Sequence, residues 1–252
     1  MKNLILALVL ISSGAVSAQV RAGGPPPTPP PEPLVSVSNG SWGVVGALTA
    51  PQGANVIEAG LGWPGGHASF LHGLTHQLEL GGRFTFNYGV EGLLGYNTIA
   101  PGLKLQFLAR LKFFDNGKVS LAARFEPGLL VYFYPSTSGN ITCTADQFGN
   151  VICGRATSTV AVGGLTIPMG VRLGIVASSA INVGVSFDLP IWFSFGRTAF
   201  VYIPVLMGVG VEYFLQSNLL LSFNIKMGPT LSSAAGSAVF TLESKIGVGY
   251  RF

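Results

Sequence analysis

Charge is what this 252-residue chain has least of. Asp, Glu, Lys and Arg together make up 10% of it, against roughly 25% in an ordinary soluble domain. Hydrophobic residues make up 48%, so part of so large a surface faces something other than water. Long apolar runs are missing too. Beyond the N-terminus no stretch of about 18 apolar residues escapes a charge or a Gly or Pro break, which argues against a helical span. Cysteine is confined to Cys143 and Cys153, and histidine to three residues. No zinc spacing results, and no cofactor is implied. The formal charge is only +4 and the basic residues are scattered, so nucleic-acid binding gets no support. No glycine-rich phosphate loop stands between a strand and a helix.

What is there begins with an export signal at 1–18: Lys2, the apolar run 4–11, then Val16-Ser17-Ala18 as a small-residue cleavage site. Residues 19–40 contain Gly23-Gly24-Pro25-Pro26-Pro27 and four further prolines up to Pro33. Such a run favours extended polyproline II and cannot enter a sheet, so it reads as a tail or linker. Export suits the cysteines, since an oxidising compartment would close Cys143 and Cys153 into a loop disulfide. A metal site is the alternative, with no His or further Cys nearby to complete it.

From Ser41 onward, strand-like segments alternate with turn signals. Ten are read: 41–49, 55–72 (irregular around Pro64-Gly65-Gly66), 77–87, 102–114, 118–134, 157–176, 181–193, 200–214, 218–228 and 239–252. Short connections alternate with longer ones rich in Gly, Ser and Thr. The one misfit is 50–54, short where a long one is due. Thirty-five glycines and few good helix formers suit this reading. With lipid on the outside and no helices, a closed barrel satisfies every backbone group without an open edge. The expected fold is an all-β, transmembrane, antiparallel up-and-down barrel over 41–252. It has about ten strands, with room for eight or twelve, and both termini are periplasmic. A secreted β-sandwich is the competing architecture.

Side-chain parity is the sharper test, because alternate residues of a barrel strand face lipid and lumen. In 102–114, Leu103, Leu105, Phe107, Ala109, Leu111 and Phe113 share one face, and Lys104, Gln106, Arg110 and Lys112 the other. The same split places Glu58, Glu79, Arg83, Arg124, Glu126, Arg172, Asp188, Glu212, Lys226, Glu243, Lys245 and Arg251 inward. No charge falls on the outward parity. Aromatic residues are expected to form girdles at both rims: Phe113, Phe114, Tyr213, Phe214, Tyr250 and Phe252 at the periplasmic one, and Tyr132, Tyr134, Trp192, Phe193, Phe195, Phe200 and Tyr202 at the other.

The closing segment Ile246-Gly247-Val248-Gly249-Tyr250-Arg251-Phe252 resembles the C-terminal signature of outer-membrane β-barrel proteins. In that signature a terminal Phe follows aromatic or aliphatic residues at every second position, here Tyr250, Val248 and Ile246. The resemblance implies recognition by the barrel-assembly machinery and residence among outer-membrane lipid in a Gram-negative cell. The general likeness is to small single-chain barrels.

Three roles follow for such a barrel. The inward acids and bases either fill a narrow lumen as a salt-bridged core or line a narrow pore for small solutes, with bases slightly in excess. The basic cluster Arg83, Lys104, Arg110, Lys112 and Arg124 has Glu79 and Glu126 near enough to pair with part of it. The cysteine-bearing loop 135–159, with Phe148, could recognise a partner at the cell surface. His67-Ala68-Ser69 resembles the His-x-Ser element of outer-membrane lipid A deacylases, implying His67 as base and Ser69 as nucleophile, with Glu79 nominated as the orienting acid. That family carries its pair late in the chain with other motif residues around it, and here the triplet comes early. The expectation is a non-enzymatic barrel. Oligomeric state is left open.

Overall fold

The computed structural model describes residues 42–94, 100–136, 141–145, 151–155, 158–195, 201–233 and 239–252. The export signal at 1–18, the Pro-rich tail, Phe148 and Phe200 lie outside the described residues. Fifteen strands follow among those described. They are β1 (Asn55–Trp63), β2 (Gly65–Gly73), β3 (Leu78–Asn87), β4 (Leu93–Leu94), β5 (Gly102–Asp115), β6 (Val119–Phe125), β7 (Gly128–Ser136), β8 (Ile141–Ala145), β9 (Val151–Arg155), β10 (Ser158–Val176), β11 (Ile181–Ser194), β12 (Val201–Pro204), β13 (Leu206–Gln216), β14 (Leu219–Ser232) and β15 (Val239–Arg251).

Ten antiparallel staves close into a barrel. β6 and β7 run end to end as one stave between β5 and β10, broken at Glu126-Pro127. β12 and β13 form another between β11 and β14, broken at Val205. Both breaks sit beside proline, which removes a ladder donor. Closure is made by β1 on β15, with Val56 opposite Arg251 and Trp63 opposite Ser244. Asn55 and Phe252 exchange both backbone hydrogen bonds at 2.9 Å. This end of the barrel is here called the terminal rim, and the other the distal rim.

The tight turns after β2 and β5 lie at the terminal rim and follow from side chains that bond their own backbone. Asn116 Oδ1 accepts the N–H groups of Lys118 and Val119, and Thr75 Oγ1 those of Gln77 and Leu78. Gly117, at φ 83°, occupies the left-handed region that a β-carbon disfavours. β8 and β9 form a separate two-stranded sheet in the connection between β7 and β10.

Two readings of the sequence need correcting. Segment 41–49 is not a strand: residues 42–50 carry no strand pairing and every one of them is buried. Segment 55–72 is not one strand but the hairpin β1–β2, turned at the single residue Pro64. The count of ten staves survives because the two errors offset each other. The short connection 50–54 that broke the alternation leads from the buried segment into β1.

The hairpin β1–β2 is shorter than its neighbours and leaves the wall low at the distal rim. β4 fills this place by pairing Leu94 with Phe240 and Leu93 with Thr241 on β15. Outside the barrel the wall is apolar, with Leu61, Leu105, Leu129, Met207 and Ile246 each more than 60% exposed. The exposed charged residues among those described are Asp115 and Lys118, both in or beside the β5–β6 turn.

Candidate functional site

The core of this protein is its lumen, which has three layers. Nearest the terminal rim, residues 42–50 enter and leave as a re-entrant loop. Trp42 Nε1 donates to the Ser217 carbonyl at 3.0 Å where the loop enters, and Thr49 Oγ1 to the His76 carbonyl at 3.2 Å where it leaves. Both acceptors lie in terminal-rim turns. Trp42 meets Phe214 edge-on at 5.7 Å and lies under the Arg251 guanidinium.

An irregular segment buried inside a barrel cannot pair with a ladder, yet its N–H and C=O groups still need partners. Charged wall residues supply them. Glu212 Oε1 accepts the N–H groups of Val44 and Val45, both at 2.5 Å, and Glu79 Oε2 accepts that of Ala50 at 2.6 Å. Arg110 donates to the carbonyls of Gly43, Leu48 and Val44, and Arg172 to that of Val45 at 2.6 Å. Arg110 Nη2 also lies 3.4 Å from Glu79 Oε1. Charge-assisted bonds of this kind are stronger than neutral ones.

Space for the loop comes from inward glycines. A β-carbon on Gly210 would stand 2.5 Å from Val45 Cγ1, and one on Gly184 3.2 Å from Gly46 Cα. On Gly174 it would meet the Ala47 nitrogen at 2.9 Å. Gly174, Gly184 and Gly210 are therefore walls of a socket for residues 45–47.

The middle layer is charged. Arg83 spans two acids, Glu58 at 3.2 Å and Glu126 at 3.2 Å, and donates to Ser69 Oγ at 2.8 Å. Arg124 bonds the other oxygen of Glu126. Lys226 lies 2.8 Å from Asp188, with Arg172 on the second oxygen at 3.8 Å. Lys104 lies 3.0 Å from Glu91. Glu243 and Lys245 also line this layer, around a cavity of about 80 Å³.

At the distal end the loop after β3 folds inward. Val90, Leu93 and Ala100 pack with Leu130, Tyr132, Trp192 and Tyr202. Glu91 is the latch: its carboxylate accepts from the Tyr132 hydroxyl at 2.7 Å, from Asn87 and from Lys104. Its backbone sits at φ 44°, a conformation that an ordinary residue holds only where its surroundings fix it.

The inward residues thus sort into different company. Glu79, Arg110 and Glu212 hold the re-entrant loop, and Arg172 joins it to the charged layer. Arg83, Lys104, Arg124, Glu126, Asp188, Lys226, Glu243 and Lys245 line that layer. Lys112 is drawn to Asp115 at 2.8 Å in the turn, and Arg251 reaches the Ser217 carbonyl at the terminal rim. Ile246, Val248, Tyr250 and Phe252 all face outward. Cys143 and Cys153 stand directly opposite in the β8–β9 register. Glu91 and the loop 42–50 are the participants that sequence reasoning missed.

Two further readings are corrected. Tyr132, Trp192, Tyr202 and Phe214 do not belong to outward girdles but are buried in the lumen. Neighbouring residues on a strand point to opposite faces, so an aromatic pair such as Tyr213-Phe214 is split, with one ring out and one in. Glu79 is not the partner of His67. In the β2–β3 register Glu79 stands opposite Gly73 and His67 opposite Thr85, six positions and about 20 Å apart along the stave. The acid beside His67 is Glu58, whose Oε1 lies 3.2 Å from Nε2. Glu58 was placed inward by parity but given no role toward the histidine.

A scan of protein-family models finds no match to this chain, and a search of curated proteins finds none. Among solved structures, the outer membrane protease OmpT from Escherichia coli is similar at 8% identity and TM-score 0.44, covering 80% of this chain and 97% of that one. The β domain of the Bordetella autotransporter BrkA is similar at 13% identity and TM-score 0.43, covering 78% and 96%. The N-terminal β-barrel domain of Pseudomonas aeruginosa OprF is similar at 13% identity and TM-score 0.35, covering 80% and 98%.

Proposed function

We propose that this chain is a Gram-negative outer-membrane β-barrel whose lumen is closed at rest by its own residues 42–50, with a structural role or a gated one toward small solutes. The observation that carries this reading is the re-entrant loop itself, whose backbone is held by Glu79, Arg110, Arg172 and Glu212. A lumen so occupied is a filled core rather than a standing pore.

The membrane assignment rests on the two faces of the wall. Leaving large side chains such as Leu61 and Ile246 in water forfeits about 1.5–3 kcal/mol each, whereas hydrocarbon welcomes them. Soluble monomers rarely expose apolar patches beyond a few hundred Å², and here the apolar face runs around all ten staves. The shortest staves, β1 and β2, have nine residues each, within the roughly 9–11 that a tilted strand needs to cross a bilayer. The rim carrying Asn55 and Phe252 is then periplasmic, and barrel-assembly machinery and lipid are the partners.

The β8–β9 hairpin favours a second reading, surface recognition. Cysteines at directly opposed positions suit a disulfide in an oxidising compartment, and such a pinned hairpin would present a rigid epitope. No catalytic role is proposed. Ser69 is engaged by Arg83, and a nucleophile needs its base within hydrogen-bond reach.

Cell fractionation with gel mobility before and after boiling tests the membrane assignment. Recovery in the outer membrane with a fast folded band and a slower boiled band is expected. A soluble periplasmic protein with a single band would overturn it.

A further inference from the structure

The charged layer between the re-entrant loop and the Glu91 latch encloses a cavity of about 80 Å³, several times the room one ordered water requires. Its wall carries six cations, Arg83, Lys104, Arg124, Arg172, Lys226 and Lys245, against five acids, Glu58, Glu91, Glu126, Asp188 and Glu243. Four of those acids are already engaged. Arg83 holds Glu58, Arg83 and Arg124 share Glu126, Lys226 and Arg172 share Asp188, and Lys104 holds Glu91.

Lys245 is different. Among the described residues it has no carboxylate within 4.0 Å, although it lines the cavity. Of the five acids on the cavity wall, Glu243, two residues earlier on the same face of β15, is the one likewise outside any ion pair among the described residues. Glu243 is the acid within electrostatic reach of the Lys245 ammonium, and the cations Arg83, Lys104 and Lys226 lie within reach as well. With six cations on the wall against five acids, the layer still gains from one more counter-charge.

We propose that this cavity binds one compact oxyanion, with Lys245 as its principal ligand. The excess of one positive charge on the wall matches a single small anion and disfavours a cation. The ligand is a free ion rather than a lipid headgroup, because the cavity lies inside the lumen between Val44 of the re-entrant loop and Glu91 of the distal latch, on the side of the wall away from the exposed apolar face. The proposal is independent of whether the lumen conducts.

Calorimetric titration of inorganic phosphate into the refolded full-length mature protein, in detergent and a chloride-free buffer, tests it. Saturable binding at one ion per barrel is expected. K245M keeps the length and apolar stem of the side chain, and should weaken that binding about tenfold or more by removing a charge-assisted contact. E243Q removes the adjacent negative charge without altering the lysine and should tighten it. A short-chain phosphatidate should not compete. Absence of binding by the unaltered protein, equal affinity in K245M with normal folded-band mobility, or displacement of phosphate by the phosphatidate would each overturn the proposal.

Discussion

The Glu212 carboxylate accepts the backbone N–H of Val45 at 2.5 Å, across 167 residues of sequence. It accepts that of Val44 as well, so one side chain of β13 satisfies two donors that no ladder reaches. Replacing Glu212 by Ala should orphan both, at about 1–3 kcal/mol for each buried N–H. The E212Q protein keeps one acceptor oxygen and should lose less. Urea unfolding from lipid vesicles would rank the three proteins. Equal stability of all three would mean the loop does not depend on this contact.

The glycine socket makes a separate prediction. Gly184→Val places methyl groups where Val45 and Gly46 pack, the β-carbon alone already standing 3.2 Å from each, with its nearest neighbours all in the loop. β11 remains a good strand, since valine favours that conformation. The barrel should therefore assemble while residues 42–50 are expelled, making the N-terminal segment sensitive to protease in an otherwise resistant barrel. A variant as resistant as the parent would show that the socket tolerates bulk.

How far the sequence discloses this arrangement depends on which force shapes each segment. Staves such as β11 and β14 were legible because one face meets lipid and the other a polar lumen, which imposes strict alternation on residues such as Phe187 and Asp188. Residues 42–50 are buried on all sides, so nothing imposes a period on them. Their small and apolar side chains imitate a strand. Their partners, Glu212 and Arg172, lie more than 120 residues away. Two local signs pointed the other way: Pro64-Gly65-Gly66 already marks a turn, and inward positions 174, 184 and 210 are all glycine. The inward charges were legible as a set, but which of them hold backbone and which hold each other is decided by depth in the barrel.

Asp188 joins two staves by meeting Lys226 at 2.8 Å and Arg172 at 3.8 Å. A double-mutant cycle of Asp188→Asn and Lys226→Met should return a coupling of about 0.5–3 kcal/mol, as residues within one network do. Additive effects would mean the pair contributes independently.

The outward face can be probed by depth. Phe187 lies midway along β11 and faces out, so Phe187→Arg should cost about 2–4 kcal/mol of folding into bilayers. Phe195, at the distal rim, should tolerate the same change for about 0–1 kcal/mol. Equal costs would argue for a surrounding other than a bilayer.

The most direct test of the closed lumen is single-channel recording in planar bilayers. The unaltered protein should be silent. A variant combining Arg110→Ala, Arg172→Ala and Glu91→Ala, which releases the re-entrant loop and the distal latch together, should conduct in discrete steps. Steady conductance from the unaltered protein, no smaller than that of the variant, would contradict closure by residues 42–50.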